Sequence, residues 1–136
     1  MSSVLVLDAS AAVRAVMDAA SQPRLLDALA SASAVIAPAL LRIEVANALW
    51  KYVRTGVIDA AEARARYAEA NLLVQAYIEE GPLFPEALQL AIDHQHPVYD
   101  AVYAVVARRQ AARLLSFDKR LQSLCAVAGI ECEALC

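Results

Sequence analysis

Four carboxylates in this chain stand where chemistry can be done. Asp8 closes the apolar run at 4–7 (VLVL), Asp118 closes another at 114–117, Asp100 opens a helical stretch, and Glu44 projects from the polar strip of a helix. Taken singly, each reads equally as a helix cap, a partner of a helix dipole or a solvated acid. Gathered at one edge, they would repel and resist joint ionisation. A fold holds such a group most readily around a hard divalent cation. Mg²⁺ or Mn²⁺ takes oxygen ligands, one or two carboxylates directly and the rest through water. It can activate water and stabilise charge on phosphorus. A set of carboxylates without His or Cys therefore points to phosphoryl chemistry. Ser10 and Ser116, each two residues from one of these Asp, are candidates for positioning water, against competing roles in capping and core hydrogen bonding.

The elements that must position these acids follow from hydrophobic pattern. The stretch 99–121 (YDAVYAVVARRQAARLLSFDKRL) holds a helical run at 99–110 and an apolar run at 114–117. Twelve helical residues rise about 18 Å, and five extended residues return about 16 Å. Doubling back brings Asp100 and Asp118 to one end, the edge where open α/β sheets bind ligands. Upstream, 4–7 reads as a strand buried on both faces, followed by a helix at 11–19 with Ser10 as its N-cap. Pro23 opens a helix to about 30, 34–37 is a strand closed by Pro38, and a helix spans 39–54. That helix has a core stripe (Leu41, Val45, Ala48, Leu49, Tyr52) and a second apolar face of Ile43, Ala46, Trp50 and Val53. A narrow strip of Glu44, Asn47, Lys51 and Arg54 separates them. A helix apolar on two sides needs two partners, the sheet and a second surface. Gly56 ends it. Asp59 with Glu62 starts a helix to about 77, 78–80 is a short strand, Pro85 starts a helix to 94, a last helix covers 119–128, and a strand closes at 130–133. Alternating strands and helical crossovers imply a central parallel sheet of four to five strands flanked by helices, in one domain over 1–136.

Composition narrows the function classes. The chain has 136 residues, is 60% hydrophobic and carries a net charge of −3, so no global basic field attracts nucleic acid. Setting the four acids aside leaves 11 of the 15 carboxylates against 12 bases, a near-neutral remainder compatible with RNA. Cys125, Cys132 and Cys136 lack a C-x-x-C spacing and read as small apolar fillers of a reducing compartment. No run is long enough to span a membrane, and 4–7 is too short for a signal segment, so a cytoplasmic protein is expected. His94 and His96 lie in a polar turn without a third nitrogen or sulfur ligand. A haloacid-dehalogenase phosphatase would need a second Asp where Ser10 stands. The acidic pair of a receiver domain, a P-loop and a G-x-G-x-x-G fingerprint are all absent.

Four motifs in order carry a resemblance: L-V-L-D-A-S at 5–10, L-L-R-I-E-V-A-N-A-L at 40–49, Y-D-A-V-Y at 99–103 and L-L-S-F-D-K-R-L at 114–121. Together they resemble the PIN domain, and within it the VapC type, the toxin of type II toxin–antitoxin modules. The resemblance spans the chain and implies a three-layer α/β fold, Mg²⁺- or Mn²⁺-dependent ribonuclease activity, a homodimer, and inhibition by a small cognate VapB-like antitoxin. It carries the acidic quartet onto Asp8, Glu44, Asp100 and Asp118, a hydroxyl onto Ser116, and a further polar position onto Asn47. The expected reaction is hydrolysis of RNA by activated water, leaving a 5′-phosphate and a 3′-hydroxyl. Lys51, Arg54 and Arg120 are candidate phosphate contacts, equally readable as solvated charges. Ile43, Trp50 and Val53 are the candidate interface. Two other readings stay open: a catalytically silent PIN-fold interaction module, and a metal-dependent DNA nuclease or small-phosphate hydrolase.

Overall fold

The computed structural model describes residues 3–135. Five strands, β1 (Val4–Leu7), β2 (Ala34–Pro38), β3 (Ala76–Ile78), β4 (Arg113–Ser116) and β5 (Cys132–Ala134), form one sheet in the order β3-β2-β1-β4-β5. Every pairing is parallel. Seven helices flank it: α1 (Ala9–Met17), α2 (Pro23–Ser31), α3 (Leu41–Arg54), α4 (Ala60–Leu72), α5 (Phe84–His94), α6 (Val98–Arg109) and α7 (Lys119–Ala128). The chain steps outward from β1 to β2 and β3, then crosses back to place β4 on the other side of β1. The C-terminal ends of β1 and β4 thus border the point where strand order reverses, the crevice that such sheets use for ligands.

The central strands read as unbroken apolar runs because both their faces are covered. Leu5, Val6, Leu7, Leu114 and Leu115 are fully buried, each such side chain contributing about 2 kcal/mol. Helix α6 is buried all round from Ala101 to Ala107 and packs against β1, β2 and β4 as well as α5 and α7. That explains why its sequence, AVYAVVA, has no polar face. Alanines let it approach the sheet closely, and Tyr103 is its one buried polar side chain. Among the described residues no helix is long and apolar enough to cross a membrane.

The sheet and helices agree with the architecture expected from the sequence, and the differences are local. Helix α1 starts at Ala9, because Asp8 and not Ser10 is its N-cap: the Asp8 side chain accepts from Ala11 N. Helix α3 starts two residues later than expected, after a turn at Ala39 and Leu40. Helix α4 stops at Leu72, five residues short of the expected end, and the third strand is Ala76–Ile78 rather than 78–80. Its cause is non-local. Gln75 N donates to Val35 O (2.8 Å) and the Gln75 side chain accepts from Val35 N, so the edge of β2 pulls the segment out of the helix. Asp59 caps α4 by accepting from Glu62 N, while Glu62 turns to Arg66 instead of closing the reciprocal bond. The last strand lies at Cys132–Ala134, not 130–133, since Ile130 N folds back on Cys125 O (2.9 Å) in the turn that ends α7. Gly129 makes that turn at φ 72°, where a β-carbon would be strained.

Candidate active site

Asp8 ends β1 and caps α1 at the same time, so its carboxylate is fixed by the backbone on both sides. It is only 3% exposed. Oδ1 accepts from Ala11 N (2.9 Å) and Ser10 Oγ (2.8 Å), and Oδ2 accepts from Ser116 Oγ (2.5 Å). Burial pushes its pKa from 3.8 to about 6; the three hydrogen bonds oppose that rise, and the charge of Asp118 adds to it. Asp118 repeats the arrangement one strand away. It follows β4 and caps α7, accepting from Arg120 N (2.9 Å) and Leu121 N (3.4 Å).

The two serines join these acids. Ser10 Oγ donates to Asp8 and accepts from Phe117 N (3.0 Å); Ser116 Oγ donates to Asp8 and accepts from Asp118 N (2.9 Å). Each hydroxyl spends its hydrogen on Asp8 and a lone pair on the turn after β4, so both brace the first acid against the backbone of the last.

Glu44 and Asp100 arrive from helices. Glu44 leans in from the first turn of α3, half-buried, and its Oε1 accepts from Tyr103 OH (2.6 Å). Burial raises its pKa, the Tyr103 bond lowers it, and the charges of Asp8, Asp100 and Asp118 raise it again. Asp100 sits in the first turn of α6 with its pKa raised by burial and by Asp118, and lowered by Arg120 and His96. All four acids therefore lie within one electrostatic neighbourhood, contributed by four separate segments. Tyr103 in turn is held well above its ordinary value by burial and the facing Glu44, so it remains a hydrogen-bond donor.

The donors are all oxygen, as a hard cation prefers. Among the described residues no group of three or more His, Cys, Asp or Glu converges tightly enough to be a ready-made metal centre. The residues fit an ion held directly by one or two carboxylates, with water between it and the others. His96, from the polar turn, lies near enough to Asp100 to act on it, and its Nδ1 is buried without a hydrogen-bond partner among the described residues.

The candidate basic residues divide. Lys51 lines a cleft of about 520 Å³ that also includes Ser10 and Glu44. Arg120 acts on Asp100. Arg54 lies elsewhere, over the Trp50 ring at 4.9 Å. On the second face of α3, Ile43 is 69% and Trp50 54% exposed, and Trp50 and Val53 border a cleft of about 580 Å³ against Ala63 and Tyr67 of α4. Two residues escaped the sequence reading. Tyr103 carried a signal, being the lone polar group in the otherwise apolar run Ala101–Ala107, three residues after Asp100. Arg14, in the same cleft as Lys51, carried none beyond its charge.

Comparison with known proteins follows the same lines. The family model described as PIN domain matches residues 5–127. The chain is 32% identical over 122 residues to the protein named ribonuclease VapC3 of Pyrobaculum aerophilum, covering 86% of this chain and 91% of that one. Its structure resembles that of PAE2754 from Pyrobaculum aerophilum with a TM-score of 0.72 at 27% identity, over 91% of this chain and 87% of the other. It also shares the fold of a chain in the VapBC2 structure from Rickettsia felis, solved with a DNA fragment from their promoter, with a TM-score of 0.70 at 10% identity over 96% and 98% of the two chains.

Proposed function

This chain belongs to the PIN-domain family, with VapC-type relatives, and on that premise we propose that it is the ribonuclease toxin of a VapBC-type toxin–antitoxin pair. Its substrate is RNA, its cofactor Mg²⁺ or Mn²⁺, and its site the quartet Asp8, Glu44, Asp100 and Asp118. The observation that carries this reading is the convergence of four carboxylates from β1, α3, α6 and β4 on the switch point of the sheet, three of them with raised pKa values. Carboxylates gathered and partly desolvated without a matching set of cations are a cost to the fold. A divalent ion removes that cost.

When bound, the cation supplies Lewis-acid activation of water and neutralises charge developing on the phosphate. The protein's own residues do the rest. Asp8, locked by Ser10, Ser116 and Ala11 N, gives a fixed anchor. Asp118 is held beside it by the α7 amides. Tyr103 fixes one oxygen of Glu44, and Asp100 enters from the N-terminus of α6. Hydrolysis in this frame leaves a 5′-phosphate and a 3′-hydroxyl. Arg120 and Lys51 border the acids and are suited to the flanking phosphates. The face of exposed Ile43 and Trp50 with half-buried Val53 supports a second protein surface, a homodimer partner or the VapB-like antitoxin, and we place the action in the cytoplasm, where the RNA is.

The test is cleavage of single-stranded RNA with Mg²⁺ or Mn²⁺, together with growth arrest on expression and rescue by the cognate antitoxin. Cleavage that persists in EDTA, or products ending in a 2′,3′-cyclic phosphate, would refute the metal-assisted hydrolysis proposed here.

A further inference from the structure

The cleft that opens beside the acids is more than a border to them. It runs between α1 and α3, about 520 Å³, and is lined by Ser10 and Arg14 on one wall and by Glu44, Asn47, Lys51 and Thr55 on the other. Both helices start at the edge of the sheet where the acids gather, so the cleft leads away from them. Arg14 stands one turn beyond Ser10, about 6 Å along α1, and Lys51 two turns beyond Glu44, about 10 Å along α3. A cleft of this size holds a nucleotide or two of single strand, not a duplex.

What sets these two cations apart is that they line this cleft together with Ser10 and Glu44 and that, among the described residues, no carboxylate takes them up. Arg66, Arg108, Arg109 and Arg113 are each engaged by a Glu. Among the described residues no carboxylate pairs with Arg14 or Lys51. Arg14 instead places its guanidinium carbon over the Phe117 ring, 4.5 Å from its centroid, and Phe117 is anchored by its own amide to Ser10. Stacking orients a guanidinium while leaving its edge donors open, and a fork of such donors matches phosphate. Phe117 directly precedes Asp118, so this platform is joined to the acidic site by a single peptide bond.

Resting on the ribonuclease reading above, we propose that the α1–α3 cleft is a nucleotide subsite for RNA on one side of the scissile bond, with Arg14 as its phosphate clamp, Lys51 as a second phosphate contact and Asn47 on the α3 wall between Glu44 and Lys51. The strand leaves the acids along this cleft. The surface is local, which reconciles RNA binding with a net charge of −3.

Binding tests the subsite separately from cleavage. A fluorescein-labelled hexauridylate is titrated by anisotropy against the full chain carrying Asp100→Asn, in Mg²⁺, over a range of salt. Adding Arg14→Ala or Lys51→Ala should weaken binding about tenfold each and flatten the log–log salt dependence by about 0.7 each. Arg14→Lys keeps the charge but neither fork nor stack, so it should weaken binding while keeping the salt slope. That split is one a structural role for Arg14 would not produce. Arg24→Ala, in a cleft with Arg113 at the opposite end of the sheet, should change neither quantity. Equal affinity and slope for Arg14→Ala, Lys51→Ala and their parent would overturn the subsite, as would a parent that fails to bind the RNA. If the binding pattern holds but the wild-type chain cuts no RNA, the subsite stands and the ribonuclease reading falls.

Discussion

The two sides of α3 are unfinished in opposite ways. On the side of Glu44, the chain supplies nearly every hydrogen-bond partner itself: Asp8 is held three times, Asp118 twice, Glu44 by Tyr103. What falls short there is countercharge, since Arg120 and His96 act only on Asp100. On the side of Ile43 and Trp50, charge is not the issue; large apolar side chains face water beside a cleft with α4. On the function proposed above, the first region takes an ion and the second a protein surface. One helix therefore couples a site that is polar and preorganised to a face that is apolar and uncovered. The contrast predicts that damage on the first side shows in chemistry and damage on the second in assembly.

The largest effect should come from the acids. Asp8→Asn, Glu44→Gln, Asp100→Asn and Asp118→Asn should each lower the rate of RNA cleavage by about a thousandfold, and a double change should cost little more than the worse single one, as for groups acting as a unit. Circular dichroism should show the fold intact for Asp100→Asn, whose side chain has no hydrogen bond to lose among the described residues. A folded Asp100→Asn protein cutting at the wild-type rate would break the comparison at its first term.

The countercharge argument has its own signature. Asp8 keeps its proton up to about pH 6 in the folded chain but loses it near 3.8 when unfolded. Between those values the folded state binds more protons, so without metal its stability should fall as pH rises through that window, by roughly 3 kcal/mol for this group. Mg²⁺ should restore part of the loss above pH 6 by binding the folded state alone. Asp8→Asn should flatten the pH dependence whatever its absolute stability, since the amide satisfies the two serines less well. Melting curves from pH 4 to 7, with and without Mg²⁺, decide it. A flat metal-free profile in the wild type would mean that the carboxylates are not desolvated as described.

On the other side of α3, Trp50→Glu places a charge at the centre of the apolar face. Association with a second copy or with the antitoxin should weaken by about 2 kcal/mol, the scale of an aromatic anchor, while cleavage by the free protein stays near wild type. Light scattering and antitoxin titration read the first, the RNA assay the second. Unchanged mass with unchanged antitoxin affinity would remove the interface from this face.

How much of this was legible in the sequence differs between the same two regions. Strand ends are readable because an acid after VLVL or LLSF interrupts a buried run, and the near-equal lengths of α6 and the return to β4 put Asp100 and Asp118 together. Both faces of α3 followed from 100° periodicity. What periodicity could not reach was pairing at a distance. Nothing near residues 72–78 says that Gln75 will engage Val35 and convert a helix end into β3. Ser10 looked like a cap because serine often is one; only the position of Ser116 across the sheet shows why Asp8 takes that role and Ser10 becomes its brace. Arg54 looked equivalent to Lys51 on the polar strip, but its guanidinium is captured by Trp50, and Arg14 came to the cleft from another helix. The link between Glu44 and Tyr103 spans 59 residues and was invisible for the same reason.

That link provides the smallest and sharpest test. Tyr103→Phe keeps the ring, its burial and its packing on the sheet, and removes only the hydroxyl that donates to Glu44. Because Glu44 is half-buried, water can take up its freed oxygen, so the stability change should stay near or below about 1 kcal/mol. The loss for catalysis is of a different kind. Tyr103 touches no substrate in the proposed reaction; it is a positioning residue that sets the direction of one carboxylate and favours its ionised form. Without it, Glu44 should turn more freely and hold its proton to higher pH, since the Tyr103 bond is what opposes burial and the three neighbouring charges. The expected result is a fall in kcat of about tenfold, the usual scale for a group that orients a ligand-bearing side chain. KM should change little, and the acid limb of the pH–rate profile should move upward. A purely structural role would lower stability and leave that limb in place. An unchanged rate and profile in a well-folded Tyr103→Phe protein would show that the orientation of Glu44 does not matter to the chemistry, and the preorganised side of α3 would then reduce to the three aspartates.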